Sequence, residues 1–239
     1  LALGDSGQKF ETEGYLRYYP VNLDLNGRCV VLVGGGAVAA RKALRLVEAG
    51  ARLTVVAPLA EDRIAALAAA GSLVHLKRCY LPGDLEGALL AFAATDDATV
   101  NLAVAAEAKE RGILIDVVDA PREGDFTTPA VLSRGDLLIT VSTAGASPGL
   151  ARRIIGELEP LFGEEYAESV TLLAAIREKI LTQKGGSAYN DRVFAELAAL
   201  DLPALIKNGR SDVLDQILLK LSASGPQAVP DGAEKKDPS

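Results

Sequence analysis

Six residues, Gly34-Gly35-Gly36-Ala37-Val38-Ala39, limit what this chain can fold into more than any others. They come directly after residues 28–33 (RCVVLV), a short apolar run rich in β-branched residues that reads as a strand, and they open a helical stretch over 37–49. Within a G-x-G-x-x-A pattern at such a junction, Gly34 permits the tight turn and Gly36 lets backbone approach a pyrophosphate. Small Ala39 lets the helix pack closely on the strand. The phosphates then rest on the positive end of the helix. A glycine trio also serves a purely structural turn, so its meaning depends on the elements around it.

Those elements alternate. Gly50 stops the helix, residues 52–57 (RLTVVA) form a second strand closed by Pro58, and a complete βαβ unit results. The pattern continues with a helix at 61–70, a strand at 73–77, a short helix after Asp84, a buried strand at 89–94, a helix at 98–111 and a strand at 113–118. Strands and helices in this order predict a Rossmann-type α/β fold, a parallel sheet with helices on both faces. After Asp119 the pattern breaks. Residues 126–134 and 136–143 read as an extended pair around Arg134-Gly135-Asp136, a hairpin outside the parallel sheet. From Pro148 onward the periodicity is helical, over 148–162, 164–183, 188–200 and 212–222. The expected organisation is a tail (1–14), a dinucleotide-binding domain (15–115), a hairpin dimerisation and catalytic region (116–148), an α-helical subdomain (149–222) and a second tail (223–239).

Composition narrows the partners. The net charge of −7 opposes attraction to nucleic acid or anionic membrane, so an anionic ligand must meet local cations. Cys29 and Cys79 stand fifty residues apart with no paired spacing, which fits a reducing, cytoplasmic location and offers no zinc site. No apolar run approaches the ~20 residues that span a bilayer, and no basic, then apolar leader precedes residue 15. His75, the single histidine, sits in a strand pattern with no partner ligand near it, so packing is its expected role. Cys29 reads as a small core residue, and Tyr15, Tyr18 and Tyr19 as aromatics tucking the N-terminal segment against the domain.

The runs GRCVVLVGGGAVAARKALRLVEAGARLTVVAP, FAATDDATVN, DVVDAP and FTTPAVLSRGDLLITVSTAGASPGLARRI, in this order over about residues 15–160, resemble the precorrin-2 dehydrogenase and sirohydrochlorin ferrochelatase family. The resemblance implies oxidation of precorrin-2 to sirohydrochlorin with NAD as cofactor, a homodimer, and in some members insertion of ferrous iron to give siroheme. It implies NAD contacts from Gly34, Gly36, Ala37 and Val38, from Pro58 and Leu59, and from Thr95 and Asp96. It supplies a preference for NAD that the second strand does not, because Val55-Val56-Ala57-Pro58 lacks the acidic residue that accepts ribose hydroxyls. Glu61 and Asp62 come shortly after, and a solvated helix start explains them. At 239 residues the chain leaves no room for the methyltransferase domain fused in some members, so methylation is expected of another protein.

The resemblance assigns catalysis to Asp119, the aspartate of the V-V-D-x-P motif. Physical reasoning favours the same place, since ligands of open α/β sheets bind beyond the carboxyl ends of the strands. An aspartate that only caps a turn before Pro121 is the structural alternative. Ser142, Thr143 and Ser147 match a serine-rich substrate loop in which Ala144 replaces a glycine, narrowing the allowed backbone angles. Asp116 stands where the family often has Asn. Ser147-Pro148 reads as a helix start with Arg152 and Arg153 on the first turns, cations suited to a polycarboxylate tetrapyrrole. Arg153, Arg41 and Lys42 serve equally well as surface charges. Sharing the glycine turn, a non-catalytic NAD(H)-sensing Rossmann module that signals through its C-terminal helices is the competing functional reading.

Overall fold

The computed structural model describes residues 17–182, 197 and 199–210. The expected tails, Tyr15, the helix at 212–222 and almost all of the helix at 188–200 lie outside the described residues. The chain forms two compact units. The first contains the residues up to Thr128 together with Ser142–Ser147, and the second contains Pro129–Val141 and the residues from Pro148 onward. The hairpin therefore shares a unit with the helices rather than with residues 116–128.

In the first unit, strands β1 (Cys29–Val33), β2 (Arg52–Val56), β3 (Val74–Leu76), β4 (Leu90–Ala93) and β5 (Leu114–Val117) form a parallel sheet in the order β3-β2-β1-β4-β5. Alternate side chains serve opposite faces. Val30, Leu32, Leu53 and Val55 pack under helices α1 (Ala37–Glu48) and α2 (Asp62–Ala69), while Val31, Val33, Ala91, Ala93, Ile115 and Val117 pack under α3 (Ala98–Arg111). Burial on both faces explains why these strands read as continuous apolar runs. Ala39, Ala40 and Ala43 are buried on α1, so that helix lies close to the sheet. The strand order reverses between β1 and β4, the topological switch point at which such sheets open a ligand crevice.

Two expectations fail here. No helix follows Asp84; residues 82–87 form turns, with left-handed Gly83 and Gly87 and an Asp84 carboxylate that accepts from the Arg78 guanidinium at 2.6 and 2.7 Å and from the Leu81 amide at 2.8 Å. The Arg78 hydrogen bonds hold that carboxyl below its ordinary range against the opposing cost of burial. Tyr19 is 86% exposed rather than packed, as Val21 and Leu23 are also exposed, and the segment enters the core only at Leu25.

In the second unit, β6 (Ala130–Arg134) and β7 (Leu137–Val141) pair antiparallel, with Arg134 opposite Leu137 across a two-residue turn and Gly135 at φ +56°. Helix α4 (Pro148–Leu158) packs on both strands and runs into a 3₁₀ turn at Glu159–Leu161; α5 (Glu165–Thr182) packs on β7 and on α6 (Leu202–Lys207). Arg134 ties hairpin to helices, donating Nε to the Phe162 carbonyl at 2.8 Å beside Glu159 and Glu164. The sequence pattern predicts no helix at α6; Asp201 caps it by accepting from the Ala204 amide at 3.1 Å. On the hairpin Val131, Leu137 and Ile139 are half-buried, and Leu138 is exposed. Among the described residues no helix is long and apolar enough to cross a membrane.

One ion pair ties α1 to the edge strand β5. Lys42 Nζ donates to Asp116 Oδ2 at 2.7 Å and to Thr128 Oγ1 at 2.9 Å, and Thr128 Oγ1 donates to the same carboxylate at 3.0 Å. The ammonium also lies 5.0 Å from the centre of the Phe92 ring, which meets Phe126 edge-on. Lys42 and Asp116 are thus not surface decoration, with side chains only 15% and 6% exposed. Removing one partner leaves the other charge buried and unmatched, so Lys42→Met is expected to destabilise the fold by about 3 kcal/mol. Urea unfolding checks this; an unchanged midpoint contradicts the role given to the pair.

Candidate active site

The three glycines differ in what they do. Gly34 has φ +128°, and a Cβ there would lie 2.3 Å from the Ala94 carbonyl oxygen; at Gly35 it would lie 2.0 Å from the Leu59 carbonyl oxygen. Both positions let loop backbone meet backbone, with the Gly34 amide donating to the Val56 carbonyl at 3.0 Å and the Glu61 amide to the Gly35 carbonyl at 2.9 Å. Gly35 carries a steric constraint as strict as that of Gly34, although the sequence singled out only Gly34 and Gly36. At Gly36, with an ordinary φ of −78°, a Cβ would meet nothing within 4 Å. That glycine is the N-cap of α1, where no side chain caps the helix and the first turn carries no acid. An open helix N-terminus of this kind attracts phosphate.

These loops frame a cleft of about 810 Å³. Gly34, Gly36, Ala37, Val38, Pro58, Leu59, Thr95 and Asp96, the positions expected to hold the cofactor, all line it, together with Gly35. The charged residues along it are Glu61, Asp96 and Asp97; none is basic. Cys79 and Tyr80 add a wall that sequence reasoning missed. Tyr80 is held from behind, its hydroxyl donating to Glu107, which also accepts from the Gly83 amide and pairs with Arg111 at 2.8 Å. Burial, then the Glu107 hydrogen bond, pushes the Tyr80 phenol well above its ordinary range. Burial pushes the Glu107 carboxyl up, but its hydrogen bonds from Tyr80, Gly83 and Leu85, with Arg111 nearby, hold it below the ordinary range.

Asp119 lies just past the end of β5, is exposed, and accepts at Oδ1 from Asn101 Nδ2 at 3.0 Å. Asn101, on the first turns of α3, is 1% exposed and also grips Thr95 of the cleft, accepting from its amide at 3.1 Å and its hydroxyl at 2.7 Å and donating to its carbonyl at 3.1 Å. In the serine-rich loop, Ser142 Oγ accepts from the Ala144 amide at 3.2 Å and Thr143 Oγ1 from the Ser147 amide at 3.0 Å. Ala144 adopts a left-handed conformation, at φ +52°, which costs a residue with a Cβ about 1–2 kcal/mol. Arg152 lies on α4 of the second unit, exposed and without a partner among the described residues, whereas Arg153 pairs with Glu157 at 3.3 Å. His75 Nε2 bonds the Ala57 carbonyl at 2.9 Å, and Cys29 Sγ accepts from Arg52 at 3.0 Å. Among the described residues no cluster of His, Cys, Asp or Glu is arranged to hold a metal ion.

The sheet order, the glycine turn and the open helix end above the switch point define an NAD(P)-binding α/β protein, and residues 21–130 match a family model of NAD(P)-binding domains. The siroheme synthase of Chromobacterium violaceum is 43% identical over 165 residues, which are 69% of this chain and 35% of that protein. Siroheme synthase 3 of Aeromonas hydrophila is 34% identical over 226 residues, 92% of this chain and 48% of that protein. The chain thus spans less than half the length of these relatives. Among solved structures, SirC, precorrin-2 dehydrogenase, matches with a TM-score of 0.71 and 29% identity over 86% of this chain and 100% of that one. The chain belongs to the family of precorrin-2 dehydrogenases and siroheme synthases.

The open space at Gly36 separates binding from folding. Gly36→Val is expected to keep the fold but to lower NAD affinity by about tenfold or more, because its side chain enters space into which only backbone now faces. Gly35→Val, by contrast, drives a side chain into the Leu59 carbonyl and should unfold at lower temperature. Calorimetric titration with NAD and thermal melts distinguish the two; undiminished affinity in folded Gly36→Val contradicts the cradle.

Proposed function

We propose that this chain oxidises precorrin-2 to sirohydrochlorin with NAD as the acceptor, releasing NADH and a proton. The observation that carries the reading is that one buried amide, Asn101, joins Thr95 of the nucleotide cleft to the exposed carboxylate of Asp119. Cofactor loop and candidate base thus stand at the same end of the sheet. The residues fit a dinucleotide, with Gly34–Val38 and the head of α1 to hold its pyrophosphate and Pro58, Leu59, Thr95 and Asp96 to hold its remaining parts. When bound, its nicotinamide supplies the hydride acceptor.

The chain's own residues contribute orientation, charge and proton transfer. Asp119 Oδ2 has no partner among the described residues and takes the proton released as the macrocycle is oxidised. Ser142, Thr143 and Ser147 orient the tetrapyrrole through their hydroxyls. The charged residues of the lining are all acidic, which supports NAD over NADP, since a ribose 2′-phosphate would bring more negative charge to Glu61, Asp96 and Asp97. Insertion of ferrous iron into sirohydrochlorin belongs to the same reading, with Asp119 as acceptor of pyrrole protons. So does a homodimer, supported by exposed Leu138 on a two-stranded sheet and checked by sedimentation.

The test is anaerobic NADH formation from precorrin-2. The unaltered chain should produce NADH, faster with NAD than with NADP. Asp119→Asn, which keeps the shape but removes the base, should lower turnover by about a hundredfold while NAD affinity holds. Near-normal turnover in that variant removes the catalytic role of Asp119. NAD binding without any NADH formation by the unaltered chain contradicts the activity and favours the sensing module.

A further inference from the structure

We propose that Asn101 is the positioning residue of this site, fixing Asp119 and the Thr95 loop in one arrangement through a single side chain. The inference rests on the dehydrogenase reading above and adds a residue to it. A primary amide offers two donors and two acceptor lone pairs. In Asn101 all are used, since Oδ1 accepts from the Thr95 amide and hydroxyl while Nδ2 donates to the Thr95 carbonyl and to Asp119 Oδ1. The pattern also fixes the orientation of the amide, because the flipped form would set its NH₂ against the Thr95 N–H.

The location makes this more than a satisfied buried group. Asn101 sits one helical turn beyond Asp97, the residue that caps α3 through bonds to the Thr99 and Val100 amides, so the helix start itself places the side chain. Thr95 Oγ1 further accepts from the Asp97 amide at 3.2 Å, closing the loop around it. Asp119 is exposed, and an exposed carboxylate ordinarily samples several rotamers. Holding Oδ1 fixes the direction in which Oδ2 points. The holder is neutral, and no cation pairs with Asp119 among the described residues. A guanidinium in the same place would stabilise the anion far more and weaken it as a base.

Asn101→Asp tests this selectively. The replacement keeps acceptors for the Thr95 amide and hydroxyl but loses both donors and sets a second carboxylate against Asp119. NAD affinity, measured by calorimetry without substrate, should stay within about threefold. In the NADH assay kcat should fall by about a hundredfold, the scale of a misplaced reacting group, with a much smaller change in KM for precorrin-2. Combined with Asp119→Asn, it should add little further loss, because both act through the same carboxylate. Unchanged kcat in folded Asn101→Asp overturns the proposal, as does a fully multiplicative loss in the double variant. If Asn101→Asp does not fold, Asn101→Ala in the same cycle decides; it should weaken NAD binding and lower kcat, again without multiplying the loss from Asp119→Asn. Normal turnover in Asp119→Asn alone defeats the catalytic assignment instead, a result separable from these.

Discussion

Backbone packed against backbone at the carboxyl end of the sheet is the constraint on which the rest depends. Gly34 leaves β1 so close to Ala94, and Gly35 so close to Leu59, that neither place admits a Cβ. The loops after β1, β2 and β4 are thereby locked together at the switch point. Only the third glycine faces open space, and it does so at the uncapped head of α1. One short run thus decides both that the loops close on each other and where they leave room for a phosphate. The wall at Tyr80 and the Thr95 loop complete a cleft whose rigidity comes from buried hydrogen bonds to Glu107 and Asn101 rather than from its own lining.

Electrostatics divides the work between structure and site. The chain is acidic overall, yet the most buried aspartate among the described residues, Asp116, is matched by Lys42 and Thr128. The sheet therefore carries a buried charge here without leaving it unpaired. Asp119, three residues later, has no such match among the described residues, where its partner is the neutral amide of Asn101. The first carboxylate holds α1 against β5, and the second is left available for chemistry.

Much of this was legible in the sequence because it is local. The strands of the parallel sheet are apolar runs ending at turn residues, and the glycine turn joins strand to helix within a few residues, so order and cleft loops emerge from short-range pattern. Asn101 was invisible for the opposite reason. In TVNLAVAAEAK it is one polar residue on a helix, and its role exists only because β4 and β5 lie side by side, bringing Thr95 and Asp119 to the same amide. Gly35 gains its meaning likewise from Leu59, which arrives from the next loop. The expected helix after Asp84 gave way to a local carboxylate–guanidinium contact and two left-handed glycines. Helix α6 is hidden because the run DLPALIKNG looks like a break, although Asp201 and Pro203 are good starting residues.

The central claim is that a dinucleotide lies in the glycine cleft with its redox end toward the Thr95, Asn101 and Asp119 network. A crystal structure of the full chain grown with NAD tests it most directly. The account predicts pyrophosphate density against the backbone of residues 36–38 and nicotinamide density beside Thr95, on the side that Asp119 Oδ2 faces. Density for the dinucleotide elsewhere, or a nicotinamide at the Cys79 and Tyr80 wall with the adenine beside Thr95, would contradict it.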